Sequence, residues 1–241
     1  MIQSLKWKYP DLACRARYTF LSRESRHKGL DLKELKRSEN ELTELINGIY
    51  YLKTPAYKPT GLALGSPLPS ISFTKRLFRL SCLINNFLIK LFDTDKTFAF
   101  VPPESYHITL LNHSHFDCSN DITGITEYEV EKARKIFAQV NKGSIILHFN
   151  SLILTPHGRL IVPGFPSDDS LYEFRSSIKN SIPELGVNAP NTAHIKLGHV
   201  LVIPNTEELK IMLGKVALCG EHVSARLNFT NVYSPVGRIK L

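Results

Sequence analysis

Cysteine is scarce in this chain: there are 4 in 241 residues, Cys14, Cys82, Cys118 and Cys219, widely scattered and without a CxxC pair. Such spacing speaks against both a disulfide framework and a cysteine-built zinc site, and predicts reduced thiols in a cytoplasmic protein. Long apolar runs are also missing. None approaches the ~18 residues of a membrane helix, so no membrane association is expected. The N-terminus lacks the charged head and apolar core of a secretory signal. Glycines are too dispersed for a phosphate loop or a dinucleotide fingerprint, and "YKPTGLALGSPLP" reads as strand and turn instead. What remains is a globular composition, 43% hydrophobic and 22% charged, long enough for one large domain or two small lobes.

The formal net charge of +8 suggests an anionic partner, but its distribution narrows that inference. Residues 1–37 hold ten Lys and Arg against four Asp and Glu, a net of +6. The other 204 residues carry twenty against eighteen, only +2. The excess sits on an N-terminal arm that can touch nucleic-acid phosphates and says nothing about a cleft.

Periodicity supplies the elements. Leu32, Leu35, Leu42, Ile46 and Ile49 fall near helical spacing, with Asp31 as cap and Gly48 as stop, and predict an amphipathic helix ahead of the main domain. Leu77, Leu80, Ile84, Phe87 and Leu91 predict a long helix, and "YHITLLN" a strand after it. Val130, Ala133, Phe137 and Val140 mark a further helix, and "SIILHFNSLIL" a second strand. The "TPHG" turn folds the chain back into "RLIVP" as a hairpin. Leu171, Phe174 and Ile178 lie in a helix capped by Asp169 or Ser170. "AHIKLGHVLVIP" is the next strand, "NTEELKIMLGKVA" a helix capped by Thr206, and "HVSARLNF" a half-buried strand. Residues 1–57 are thus read as a basic, partly helical extension, and residues 58–241 as the main domain. Within it, lobes of about 58–154 and 158–241 repeat one order of elements: strand, helix, strand, helix, strand.

In each half the middle strand carries a histidine tripeptide, His107-Ile108-Thr109 and His194-Ile195-Lys196. Positions i and i+2 of a strand share a face, so His107 is expected beside Thr109, and His194 beside Lys196. If the lobes face each other, two imidazoles and two hydrogen-bond donors line one cleft. That set suits a phosphate ester. One neutral imidazole takes a proton from the attacking oxygen and one imidazolium gives a proton to the leaving oxygen. A hydroxyl and an ammonium hold the non-bridging oxygens, and no metal or cofactor is required.

"PPESYHITL" and "AHIKLGHV", 87 positions apart, resemble the paired His-x-Thr/Ser strands of the two-histidine (2H) phosphoesterase superfamily. That superfamily includes the RNA 2′,3′-cyclic phosphodiesterases and the 2′-5′ RNA ligase-like proteins. The resemblance covers roughly residues 58–241. It implies an α+β, bilobal, pseudo-twofold fold in which two antiparallel sheets flank a cleft and helices lie outside. It also implies metal-free chemistry on a cyclic or 2′-5′ phosphodiester of a nucleotide or RNA end, and a monomer is expected. His107 and His194 then form the acid–base pair, and Thr109 donates to a phosphate oxygen. Lys196 stands where the family has Thr or Ser. As a phosphate ligand it keeps the activity; as a departure it allows a degenerate nucleotide-binding protein. An ammonium beside His194 favours its neutral form, making His194 the expected base and His107 the acid.

A rival lies in "LLNHSHFDC", which is similar to the His-x-His-x-Asp-His of dinuclear-zinc hydrolases. It would use His113, His115 and Asp117, but Cys118 stands where the next histidine should be and the following Gly-Gly is absent.

Overall fold

The structure, a computed structural model, describes residues 10–33, 35, 43–52, 63–68, 70–113, 145–149, 151–181, 187–188, 193–218, 223–227, 231–234 and 237–240. From the N-terminus the elements are α1 (Pro10–Lys28), β1 (Thr43–Ile46), β2 (Ile49–Leu52), β3 (Ala63–Pro67) and α2 (Ile71–Phe92). There follow β4 (Phe98–Phe100), a single 3₁₀ turn (Pro103–Ser105), β5 (His107–His113), β6 (Ile145–Phe149), β7 (Ile153–Leu154) and β8 (Arg159–Pro166). The last group is α3 (Ser170–Ser181), β9 (Val187–Asn188), β10 (Ala193–Val200), α4 (Thr206–Leu218), β11 (Val223–Leu227), β12 (Asn231–Ser234) and β13 (Gly237–Lys240). The chain is therefore of mixed helix and strand content, as expected.

All these strands are hydrogen-bonded into one branched sheet, where two separate sheets were expected. Its hub is β10. One edge pairs with β8 along its length; the other pairs first with β5 and then with β4. The halves interleave. β6, from the first half, pairs with β8 and β11 of the second, and β12 returns to pair with β3 of the first.

One face of the sheet carries the main core. Ile108 and Ile195, both 0% exposed, lie there with Leu147, Leu160, Val162 and Leu197. α2 packs on it with Phe73, Leu77, Leu80, Ile84 and Leu88, spaced three or four apart as a helix stripe requires. Ser70 caps this helix by accepting from the Phe73 amide at 3.1 Å, and Asp93 ends it in the left-handed region. Leu171 and Phe174 of α3 and Met212 and Val216 of α4 complete the cluster.

The N-terminal residues differ most from expectation. Residues 43–52 are not a helix but a hairpin, turned at Asn47 and Gly48 with φ of 50° and 78°. Asn-Gly is the dipeptide that tolerates left-handed φ at both central positions, so local turn chemistry overrides the helical spacing. Leu45, Ile46 and Ile49 accordingly stay exposed, and β2 joins the sheet beside β4. Helix is found instead at residues 10–28, where the inward stripe of Tyr18, Leu21, Ser22 and Ser25 is too polar to stand out as apolar periodicity. The "SIILHFNSLIL" segment is two short strands, β6 and β7, rather than one. The cap of α4 is Asn205, not Thr206. Its Oδ1 accepts from the amides of Glu207 and Glu208 at 3.0 Å, while Glu208 reaches back to the Asn205 amide at 2.7 Å in a capping box. The hairpin through Gly158 (φ 73°) is as expected. The helix expected around Val130–Val140 lies outside the described residues.

Gly198 shows how tight the hub is. A Cβ there would fall 2.4 Å from the carbonyl oxygen of Ala99 and 2.4 Å from the ring of Phe98. Gly198→Ala should therefore lower stability by about 1–3 kcal/mol, which for a domain of this size is roughly 2–12 °C in Tm. Calorimetry checks this, and an unchanged Tm would contradict the packing described.

Candidate functional site

The two histidine strands are neighbours. β5 and β10 run antiparallel with Ile108 opposite Ile195. One step to either side, the pairing sets position 107 opposite Lys196 and position 109 opposite His194. Both isoleucines face the core, so His107, His194 and Lys196 belong to the other face. Diagonal neighbours across such a ladder have Cα atoms roughly 7–8 Å apart, which brings the imidazoles to a common patch.

His107 enters β5 directly from the 3₁₀ turn. Tyr106, 3% exposed, anchors that turn beneath the sheet, its hydroxyl 3.3 Å from Ser81 Oγ of α2. Burial pushes the Tyr106 phenol up to about 12. His107 Nδ1 lies 2.9 Å from the carbonyl oxygen of Ser105. A carbonyl only accepts, so Nδ1 carries the hydrogen.

The electrostatics of the patch are one-sided. Burial, then the positive charges of Arg159, His107, Lys196 and Arg175, push His194 down to about 4. Its Nδ1 is buried, with no hydrogen-bond partner among the described residues. Burial lowers His107 too, opposed by its bond to Ser105 and reinforced by Lys196. Lys196 is not a solvated surface charge: burial first, and Arg159 second, bring its ammonium down to about 7. His199, 3% exposed on the same strand, is held near 2 by burial and then by Lys196, Arg159 and His157. The groups that push His194 down are cations and another histidine, and Lys196 acts on both imidazoles. The expected reason for a neutral His194 is thus incomplete, because desolvation and Arg159 outrank Lys196.

Arg159 and Arg175 were not singled out from sequence. Arg159 opens β8 opposite His199. Arg175 is 2% exposed on α3, four residues after the buried Leu171. A charged residue on an apolar helix stripe is the signal that would have flagged it. Position 109 sits on β5 opposite Gly65 as well as His194. His113 ends β5 opposite Val187, whereas His115 and Asp117 lie outside the described residues. Among the described residues no three His, Cys, Asp or Glu side chains are grouped to hold a metal ion.

No protein-family model matches the chain, and no curated protein matches it in sequence. Solved structures do. Escherichia coli LigT in complex with NADP+ is 13% identical over 77% of this chain and 95% of its own, with a TM-score of 0.40. Kluyveromyces marxianus Usb1 with uridine monophosphate is 13% identical over 76% of this chain and 98% of its own, at 0.44. ATU0111, a conserved protein of unknown function from Agrobacterium tumefaciens, is 14% identical over 68% of this chain and 76% of its own, at 0.41. At TM-scores this low the likeness carries no argument about activity.

The unequal environments can be measured. In an NMR titration His194 should stay neutral through pH 7 and protonate near 4, below His107. A His194 that titrates at or above His107 would contradict the electrostatics described.

Proposed function

We propose that the chain is a metal-independent phosphodiesterase acting on a 2′,3′-cyclic or 2′-5′ phosphodiester of a nucleotide or RNA end. The observation that carries this reading is the Ile108–Ile195 register, which sets two histidines of unequal basicity on one cationic patch. His194 is the base and takes a proton from the attacking water, whose oxygen forms the new bond to phosphorus. As the ester bond breaks, His107 delivers a proton to the departing ribose oxygen. Thr109 and Lys196 hold the non-bridging oxygens while charge shifts between them. The acid role asks for a protonated His107, and a bound phosphodiester supplies the condition, since an anion beside an imidazole raises its pKa. The cleft between two lobes belongs to the same proposal, as do the monomeric state and the cytoplasmic location.

A second reading is a nucleotide- or RNA-end-binding protein without turnover. It is favoured by Lys196, an ammonium where the family carries a hydroxyl.

A panel of 2′,3′-cyclic nucleotides and 2′-5′ oligonucleotides, assayed with and without EDTA, separates these readings. The proposal expects turnover that EDTA does not abolish, and about 10²–10⁴-fold loss in His107→Ala and His194→Ala with the fold intact. Binding without turnover would favour the second reading, and activity lost to EDTA and restored by zinc would overturn the mechanism. Lys196→Thr supplies an independent check. Lys196 lowers the pKa of His194, so removing the cation raises it and the acidic limb of the kcat/KM–pH profile should move to higher pH. An unmoved limb would remove Lys196 from the tuning of the base.

A further inference from the structure

The helix α1 packs against β7 and β8 on the histidine face of the sheet. Ile161 is the register partner of Lys196, and Pro163 that of His194, so their face of β8 is continuous with the site. Tyr18 packs on that face against Ile161, Ile153 and Phe165. Its ring meets Phe165 edge-on, with centroids 5.3 Å apart. The Tyr18 hydroxyl donates to the carbonyl oxygen of Ala193, the residue before His194. Two turns further on, Ser25 donates to the Leu154 carbonyl at 2.7 Å and fixes the other end. α1 therefore forms a wall beside the site, fixed to the sheet at both places.

One residue of this wall is placed to meet a ligand. Arg15 is exposed, and its guanidinium carbon sits 4.8 Å from the centre of the Phe165 ring. Phe165 is two residues from Pro163, so at ordinary strand spacing its Cα lies roughly 8 Å from that of His194. Stacking on an aromatic face orients a guanidinium, and the edge of that planar group bonds phosphate oxygens in pairs. The rest of the helix has the same sign. Residues 10–28 carry five Lys and Arg against Asp11 and Glu24, a net of +3, and Glu24 is occupied by Lys28 at 2.9 Å.

We propose that Arg15 of α1 is a substrate-contact residue that binds the phosphate next to the one being cleaved, so that the substrate is an oligonucleotide end rather than a free mononucleotide. This rests on the phosphodiesterase reading and names its substrate class more narrowly. A mononucleotide cyclic phosphate reaches the histidines and Lys196 but leaves Arg15 unused. An oligonucleotide engages both.

The test compares a 2′,3′-cyclic mononucleotide with a trinucleotide bearing the same terminal phosphodiester, on the full chain and on Arg15→Ala and Arg15→Lys. Arg15→Ala should lower the trinucleotide-to-mononucleotide ratio of kcat/KM about 10-fold, through KM rather than kcat. Arg15→Lys should recover part of the loss by keeping the charge. A ratio unchanged in Arg15→Ala, or an equal loss on both substrates, would overturn the proposal. If the unaltered chain turns over neither substrate, the functional reading fails on its own, and binding decides this one. The log–log salt dependence of affinity for a fluorescent oligoribonucleotide should then fall by about 0.7 in slope in Arg15→Ala, the change that neutralising one phosphate fewer brings. An unaltered slope would overturn the role given to Arg15.

Discussion

The pairing of Ile108 with Ile195 is the constraint on which the site depends. Both side chains are fully buried against α2, and a strand alternates its faces with a period of two. A slip of one residue on either strand would drive a histidine into the core and an isoleucine out of it. Burying an imidazole without partners while exposing a large apolar side chain costs several kcal/mol, so the register is held by the hydrophobic core beneath it. The histidines themselves need contribute nothing to that choice. Their positions follow from what lies on the opposite side of the sheet.

Given that register, the chemistry of the patch is set by what surrounds it. Lys196, Arg159 and Arg175 act together on His194, and burial weakens the solvent screening that would otherwise mute them. Like charges thus stand close together where water screens them little, and they repel one another. An anionic ligand relieves that repulsion. The same cations that depress the imidazoles are therefore the ones that would favour a phosphate in the proposed reaction. Lys196 adds a second property, since an ammonium brought down to about 7 is only partly charged at neutral pH.

The N-terminal segment shows where sequence periodicity misleads. Leu42, Ile46 and Ile49 have helical spacing, but Asn47-Gly48 provides a two-residue turn, and turn chemistry decides a short segment when its apolar residues find no core. The converse holds in α1. Its inward stripe includes Tyr18 and Ser25, whose hydroxyls bond to the sheet and to the helix's own turn, so only the Tyr18 ring packs as hydrocarbon there. A helix whose contacts are partly polar leaves little amphipathic signal. The long helix α2 was legible because it meets the opposite case, a Leu, Ile and Phe stripe facing a wholly apolar surface.

By itself the sequence determined the mixed helix-and-strand content, several of the helices and strands among the described residues after position 70, and the two strands that carry His107 and His194. Those are local properties, encoded in periodicity, caps and turns. It also singled out Lys196 by its place two residues beyond His194. Only the tertiary structure decided that β5 and β10 are adjacent, that the strands join into one branched sheet, and that α1 lies on the histidine face. It alone drew in Arg159 and Arg175, whose influence on His194 depends on separation in space. The physical reason is that local preference is written in neighbouring residues, whereas strand order and electrostatic environment arise from contacts between residues far apart in the chain.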